Sequence, residues 1–266
     1  MIEKDKTYVM MGLLDPDSIA FAIGQSIEKW GGKVVYTVQS ERMKRIFLDR
    51  SKKLSDEAKA ALDIRYCDIT IDEEVEALYA ELTDIGGVVH SIAYANPKTC
   101  LGESFHTDAI DDLKLGFEIS CVSLATVARY ASKSMPNGGG IVAMTFDSQR
   151  AFPYYNWMGV NKAALEGAVR ALAREHGRDL IRVNAVSAGP LKTKAATNIP
   201  GFNDLAETWS NTSPLPWDTE NDKFEVANAA VFLLGTYSKK ITGQTLYVDG
   251  GASIAGGVLL AHERPQ

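Results

Sequence analysis

The chain has 266 residues, 45% of them hydrophobic and 23% charged, with a formal net charge of -6. That length suffices for one large α/β domain with its own core, and the acidic balance argues against a nucleic-acid or anionic-membrane surface. Cys67, Cys100 and Cys121 show neither metal-ligand spacing nor an even disulfide framework, so they read as reduced, buried thiols and no metal is expected. The first residues lack the apolar core of a signal peptide and no uncharged apolar run is long enough to cross a bilayer, so the expectation is a cytoplasmic protein without membrane contact.

Residues 8–11 are a short apolar run closed by Gly12, the pattern of a buried strand. Ser18 then stands as a helix cap, and Ile19, Ile23, Ile27 and Trp30 share one helical stripe until Gly31-Gly32 ends it. A second strand at 33–38 is followed by a charged helix with Met43, Ile46 and Phe47 inward. After a third strand at 64–68, a helix from Asp72 is expected to turn Val75, Leu78, Tyr79, Leu82 and Ile85 inward and its glutamates to water. Residues 88–93 read as a fourth strand. A long helix then carries Leu113, Phe117, Cys121, Leu124, Ala128 and Ala131 on one stripe, and Pro136 to Gly140 break it before a fifth strand at 141–146. A helix follows Pro153, a sixth strand covers 181–186, a helix runs near 224–234, and a last strand covers 245–248.

Strands alternating with helices imply parallel pairing, right-handed crossovers and helices on both faces: a Rossmann-type doubly wound α/β sheet of about seven strands in one domain over 1–266. The segment at about 190–223 holds four prolines and reads as a cover over the substrate. Ligands on such sheets bind beyond the carboxyl ends of the strands, where Gly12, Gln39, Asp68, Ser91, Ile92, Ala93, Thr145, Gly189 and Pro190 fall. The first turn, Gly12 to Ala20, lacks the usual three-glycine pattern. It still pairs a turn glycine with a hydroxyl at a helix N-terminus, which suits either a pyrophosphate or a plain helix cap.

Tyr155 and Lys162 lie two helical turns apart, so they share a face. An ammonium beside a phenol favours the phenolate, and such a pair can serve an oxygen that gains negative charge during reaction. An isolated pair of this kind is equally a half-buried aromatic and a solvated lysine.

Taken together, Gly12 with Ser18-Ile19-Ala20, Cys67-Asp68-Ile69, His90-Ser91-Ile92-Ala93, Tyr155 with Lys162, Arg182-Val183-Asn184-Ala185 and Gly189-Pro190-Leu191-Lys192-Thr193 resemble the short-chain dehydrogenase/reductase superfamily. More narrowly they resemble its enoyl-acyl-carrier-protein reductases, over most of the chain to the closing Tyr247-Val248-Asp249-Gly250-Gly251. Ordinary superfamily members place the tyrosine and lysine one turn apart with a serine upstream; here Gly159 stands where that lysine would be.

The resemblance implies reduction of trans-2-enoyl thioesters in fatty-acid synthesis, with Tyr155 hydrogen-bonding the thioester oxygen and Lys162 holding the nicotinamide ribose. It places Gly12, Ser18, Ile19 and Thr193 along the pyrophosphate, Asp68 and Ile69 at the adenine, and Ser91, Ile92 and Ala93 beside the adenosine half. Thr145, Gly189, Pro190 and Leu191 join the cofactor set, and Phe146, Tyr155, Met158, Ala195 and Ile199 the substrate set. Gln39-Ser40 stands where NADPH-preferring members carry basic residues, which favours NADH over NADPH, although Arg42, Lys44 and Arg45 lie close by. Another carbonyl or alcohol reductase, or a silent nucleotide-binding protein of this fold, is the alternative.

Three departures bear on substrate. Many bacterial members carry a second tyrosine where this chain has Thr145, and Phe146 and its surroundings look like the branch that handles very long acyl chains. The segment after Lys194 is shorter than that branch's substrate loop, which disfavours very long chains. Residues 197–205 lack the basic side chains expected to meet an acidic carrier protein, so carrier protein and coenzyme A both stay open as partners. Family members are usually homotetramers, which the apolar stripes of the long helices allow.

Overall fold

The structure, a computed structural model, describes residues 1–260 and 262. Seven parallel strands lie in the order β3-β2-β1-β4-β5-β6-β7, comprising β1 (Thr7–Met11), β2 (Lys33–Val38), β3 (Asp63–Tyr66), β4 (Ile85–His90), β5 (Gly139–Thr145), β6 (Ile181–Ala188) and β7 (Thr245–Val248). The order reverses direction between β1 and β4, which opens a crevice at their carboxyl ends. Crossovers run through α1 (Ile19–Lys29), α2 (Glu41–Met43), α3 (Asp56–Ala60), α4 (Asp72–Ala80), α5 (Ile110–Phe117), α6 (Ser123–Ala131) and α7 (Asn156–His176). Two more helices, α8 (Phe202–Thr212) and α9 (Lys223–Leu234), follow β6.

The central strands are apolar throughout because both faces are covered. Tyr8 and Met10 enter one core with Ile23 and Val226, while Val9 and Met11 enter the other with Val75 and Leu124. Each such side chain contributes about 1.5–3 kcal/mol on full burial. Arg182 on β6 ties the far end of α9 to the sheet: its guanidinium donates to the carbonyls of Leu233, Leu234 and Gly235, which have no partner inside the helix.

Several boundaries differ from the sequence reading. Ile85 opens β4 instead of closing the preceding helix, and β4 ends at His90, so residues 91–93 leave the ladder after one last bond from Ser91 N to Met11 O (3.2 Å). Gly86-Gly87 disguised that start, since glycine is a poor strand former; a Cβ at Gly87 would stand 2.6 Å from Gly140 O. β3 stops at Tyr66, β5 covers Gly139–Thr145 and β6 extends to Ala188. Trp30 falls at the C-cap of α1 and is exposed.

A π-helical turn, Glu118–Val122, joins α5 to α6 and shifts the apolar stripe by a residue. Phe117 is therefore exposed, while Gly116, Ser120 and Cys121 are buried. A second such turn, Lys44–Leu48, buries Leu48 completely.

Candidate active site

A cavity of about 850 Å³ opens at the carboxyl ends of the strands, and every residue singled out above for cofactor, catalysis or substrate lines it. It runs from Gln39, Asp68 and Ile69 past Gly12, Ser18 and Ile19, then along Ser91, Ile92 and Ala93. Thr145, Phe146, Tyr155, Met158 and Lys162 stand at the other end, under Gly189, Pro190, Leu191, Thr193, Ala195 and Ile199. Further wall residues escaped the sequence reading, among them Tyr94, Leu101, Ile119, Phe202 and Leu205. Phe202, Leu205 and Trp209 form the buried face of α8, a helical spacing legible inside a segment that had read only as loop.

The first turn is stripped of side chain where it meets β4. Gly12 has φ +92°, and a Cβ there would stand 2.3 Å from Ser91 O. Ser18 caps α1 by accepting from Phe21 N (3.4 Å), and its hydroxyl proton is spent on Asp15 O (2.7 Å). The amides of Ile19 and Ala20 in the first turn precede the intrahelical ladder and are free to meet an anion. Asp17 is held by Lys53 (2.6 Å) and Lys223 (3.2 Å), which anchors the turn from outside.

At the Gln39 end, Gln39 Nε2 donates to Asp68 Oδ2 (2.8 Å), and Thr70 donates to Oδ1 from N (3.0 Å) and Oγ1 (2.7 Å). Burial pulls the Asp68 carboxyl upward, but these donors win and hold it below its ordinary value. Asp68 is thus a charged, acceptor-only group.

At the opposite end burial dominates. Tyr155 is 7% exposed, its ring lies 4.8 Å from that of Phe146, and Phe146 is backed by Phe152 (5.0 Å) and Trp209 (5.3 Å). Burial pushes the Tyr155 phenol well above its ordinary value, and its hydroxyl makes no hydrogen bond to the described residues. Lys162 Nζ donates to Met144 O (2.8 Å); burial pulls the amine down to about 8, against the opposing pull of Glu166 and Cys121. The ammonium thus donates to the end of β5, and burial, not the ammonium, is what moves the phenol's proton affinity.

Two buried acids went unnoticed in the sequence. Glu166 accepts from Thr145 Oγ1 (3.0 Å) and Ser148 Oγ (2.8 Å), so the Thr145 hydroxyl is engaged with protein. Asp147 faces Arg150 (3.5 Å) and Tyr247 (3.5 Å). Glu166 stands one turn beyond Lys162 on α7, a spacing visible in the sequence.

The roof is pinned by backbone and indole bonds. Gly189 N donates to Val248 O (2.9 Å), and Trp217 Nε1 donates to Pro190 O (2.8 Å). A Cβ at Gly189 would stand 2.6 Å from the Trp217 ring and 2.8 Å from Trp209 Nε1.

These features fit a dinucleotide: an elongated cleft across the switch point, a bare glycine turn aimed by a helix N-terminus, and an acceptor at one end for an adenosine amine or hydroxyl. With Tyr155 and Lys162 at the other end they define a short-chain dehydrogenase/reductase, an oxidoreductase class. The family profile of enoyl-(acyl carrier protein) reductases matches residues 12–253. The NADH-dependent enoyl-acyl-carrier-protein reductase FabI of Bacillus cereus is 38% identical over 256 residues, covering 94% of this chain and 98% of its own. The NADPH-dependent FabI of Staphylococcus aureus is 38% identical, covering 93% of this chain and 96% of its own. A crystal structure of the Bacillus cereus enzyme with NADP+ and an indole naphthyridinone superposes with a TM-score of 0.86 at 36% identity, over 95% of this chain and 98% of that one. The chain belongs to the enoyl-acyl-carrier-protein reductase family.

Proposed function

We propose that this protein reduces the 2,3 double bond of trans-2-enoyl thioesters in fatty-acid synthesis, using NADH in preference to NADPH. The observation that carries the reading is Tyr155: its ring is buried, its phenol keeps its proton, and its hydroxyl has no protein acceptor at the end of the cleft that also holds Lys162.

The reduced nicotinamide supplies the hydride. Tyr155 donates a hydrogen bond to the thioester oxygen, which becomes an enolate as the β-carbon is reduced. A preorganised donor of this kind is worth about 2.7–4 kcal/mol of barrier. A phenol kept protonated by burial suits that role, because it gives a hydrogen bond without needing to ionise first. Lys162, fixed by Met144 O, retains two N–H bonds for the ribose hydroxyls of the nicotinamide half. Gly12, Ser18, Ile19 and Thr193 face the pyrophosphate, while Gln39, Asp68 and Ile69 face the adenosine. Ser91, Ile92 and Ala93 run beside the cofactor, with Thr145, Gly189, Pro190 and Leu191 around its nicotinamide half. Phe146, Met158, Ala195 and Ile199 form the acyl-facing wall.

NADH is favoured because Gln39 is bonded to an ionised Asp68, and a 2′-phosphate brought there would meet negative charge. The relatives include both NADH- and NADPH-dependent enzymes, so this pair of residues is the basis of the preference.

The acyl group arrives on a carrier protein or on coenzyme A. α8 presents Asp204 and Glu207 and no basic residue, so an acidic carrier would dock through Lys192 and Lys194. Carrier affinity that falls with salt supports such a dock. The segment at 190–223, with α8 inside it, acts as the substrate cover. The exposed Ile110, Leu115, Phe117, Val122 and Val160 suit burial between copies of this chain in a homotetramer. Among the described residues no helix is long and apolar enough to cross a membrane; a cytoplasmic location goes with the assigned pathway.

The test is loss of NADH absorbance with crotonyl and longer enoyl thioesters, with β-ketoacyl thioesters as control. Turnover of the enoyl compounds alone supports the reading. Turnover of ketones or alcohols with untouched double bonds contradicts it.

A further inference from the structure

Glu166 is 5% exposed, an unusual position for a carboxylate, and it sits one turn along α7 from Lys162. Its two oxygens each receive a hydroxyl: Oε1 accepts from Thr145 Oγ1 (3.0 Å) and Oε2 from Ser148 Oγ (2.8 Å). An acid that accepts through both oxygens is best served as the carboxylate. Lys162, on the same helix, donates to Met144 O (2.8 Å). The two side chains therefore grip consecutive residues at the end of β5, with Phe146 and the Tyr155 ring packed just beyond.

The clamp has an electrostatic side. Around Lys162 stand Glu166 on its own helix, Cys121 from the π-helical turn and His90 from β4, with Tyr155 lining the same cleft. Burial forces His90 down to about 3 and raises Tyr155 and Cys121, so all three are neutral at pH 7. Glu166 itself faces Asp147 from the loop after β5, Arg170 one turn further along α7 and Tyr247 of β7. Burial raises the Glu166 carboxyl, against the Ser148 and Thr145 donors that lower it.

We propose that Glu166 is a positioning residue for the reaction. Its carboxylate holds Lys162 in the ammonium form and, through Thr145 and Ser148, fixes the strand end on which Lys162 is set. Without it, the buried amine would have the Met144 carbonyl as its hydrogen-bond partner and no counter-charge, and would give up its proton at lower pH. The inference rests on the assignment of Lys162 to the nicotinamide ribose.

The test is the pH dependence of NADH affinity, read by protein fluorescence without substrate, in wild type, Glu166→Asp and Glu166→Gln. Affinity should fall on the alkaline side as Lys162 loses its proton. The midpoint should drop by about one to two pH units in Glu166→Gln, from the loss of an opposite charge one helical turn away. In Glu166→Asp, which keeps the charge but withdraws it by one methylene, the drop should be smaller. If the glutamine variant fails to fold, the aspartate variant decides alone, because a displaced midpoint supports the proposal and a shared midpoint overturns it. A shared midpoint with a lowered melting temperature would show that Glu166 serves packing only. Wild type that fails to bind NADH at any pH would instead defeat the assignment of the site.

Discussion

The two ends of the cleft solve opposite electrostatic problems. At the Gln39 end Asp68 sits near solvent, and three donors from Gln39 and Thr70 outweigh burial and hold the carboxyl below its ordinary value. At the catalytic end burial outweighs every partner: it keeps Tyr155 protonated and draws Lys162 down to about 8. In the proposed function, recognition is thus entrusted to a fixed charge, and chemistry to groups whose protons depend on how water is excluded. The Lys162 end carries a cost in folding free energy and the Asp68 end does not.

The largest effect that would break this contrast is expected at Tyr155. Tyr155→Phe should lower turnover by about a hundredfold to a thousandfold, the range for losing one preorganised donor, with NADH affinity close to wild type by fluorescence titration. Next is Gly12→Ala. Its φ of +92° and a Cβ 2.3 Å from Ser91 O force the turn to move, so NADH affinity should fall at least about tenfold and the melting temperature with it.

Lys162 gives a prediction on stability. Its folded pKa of about 8 lies below the ordinary lysine value of 10.5, so the unfolded chain holds more protons between those values. The burial penalty is therefore full below pH 8 and is relieved as pH rises toward 10.5. Lys162→Met without cofactor should be more stable than wild type at pH 7, on the order of 3 kcal/mol before the lost bond to Met144 is subtracted. Thermal melts should show that gap narrowing by pH 10. The smallest effect is at the other end, where Gln39→Arg should shift the NADPH-to-NADH ratio of kcat/KM by about tenfold toward NADPH, the worth of one charge-assisted hydrogen bond.

How much of this was legible in the sequence depended on the kind of signal. The sheet was readable because its strands are apolar runs set between helical stripes, and residues such as Val9, Val88 and Val142 have no polar neighbour to blur the pattern. Gly12, Gln39, Asp68, Ser91 to Ala93, Thr145, Gly189 and Pro190 followed from strand ends, whereas residues such as Thr193, Ala195 and Ile199 were singled out only through the family resemblance. Elements that break periodicity did not show. The π-helical turn at Glu118–Val122 turned Phe117 outward against a continuous 3.6-residue stripe, and Gly86-Gly87 hid the start of β4. Helix α8 was lost among prolines and polar residues. The protonation logic was legible only in part: the Tyr155–Lys162 spacing was plain, but the partner of Lys162 is a backbone carbonyl, which carries no sequence signature, and Glu166 resembled any other helical glutamate.

The most direct measurement is a rapid-mixing single turnover of crotonyl thioester by the NADH-loaded enzyme, wild type against Tyr155→Phe, followed by nicotinamide absorbance. The account predicts prompt oxidation of NADH in wild type and a slowing of about a hundredfold or more in the variant at equal NADH occupancy. Equal rates in the two proteins would contradict it, because the buried phenol would then have no part in stabilising the enolate.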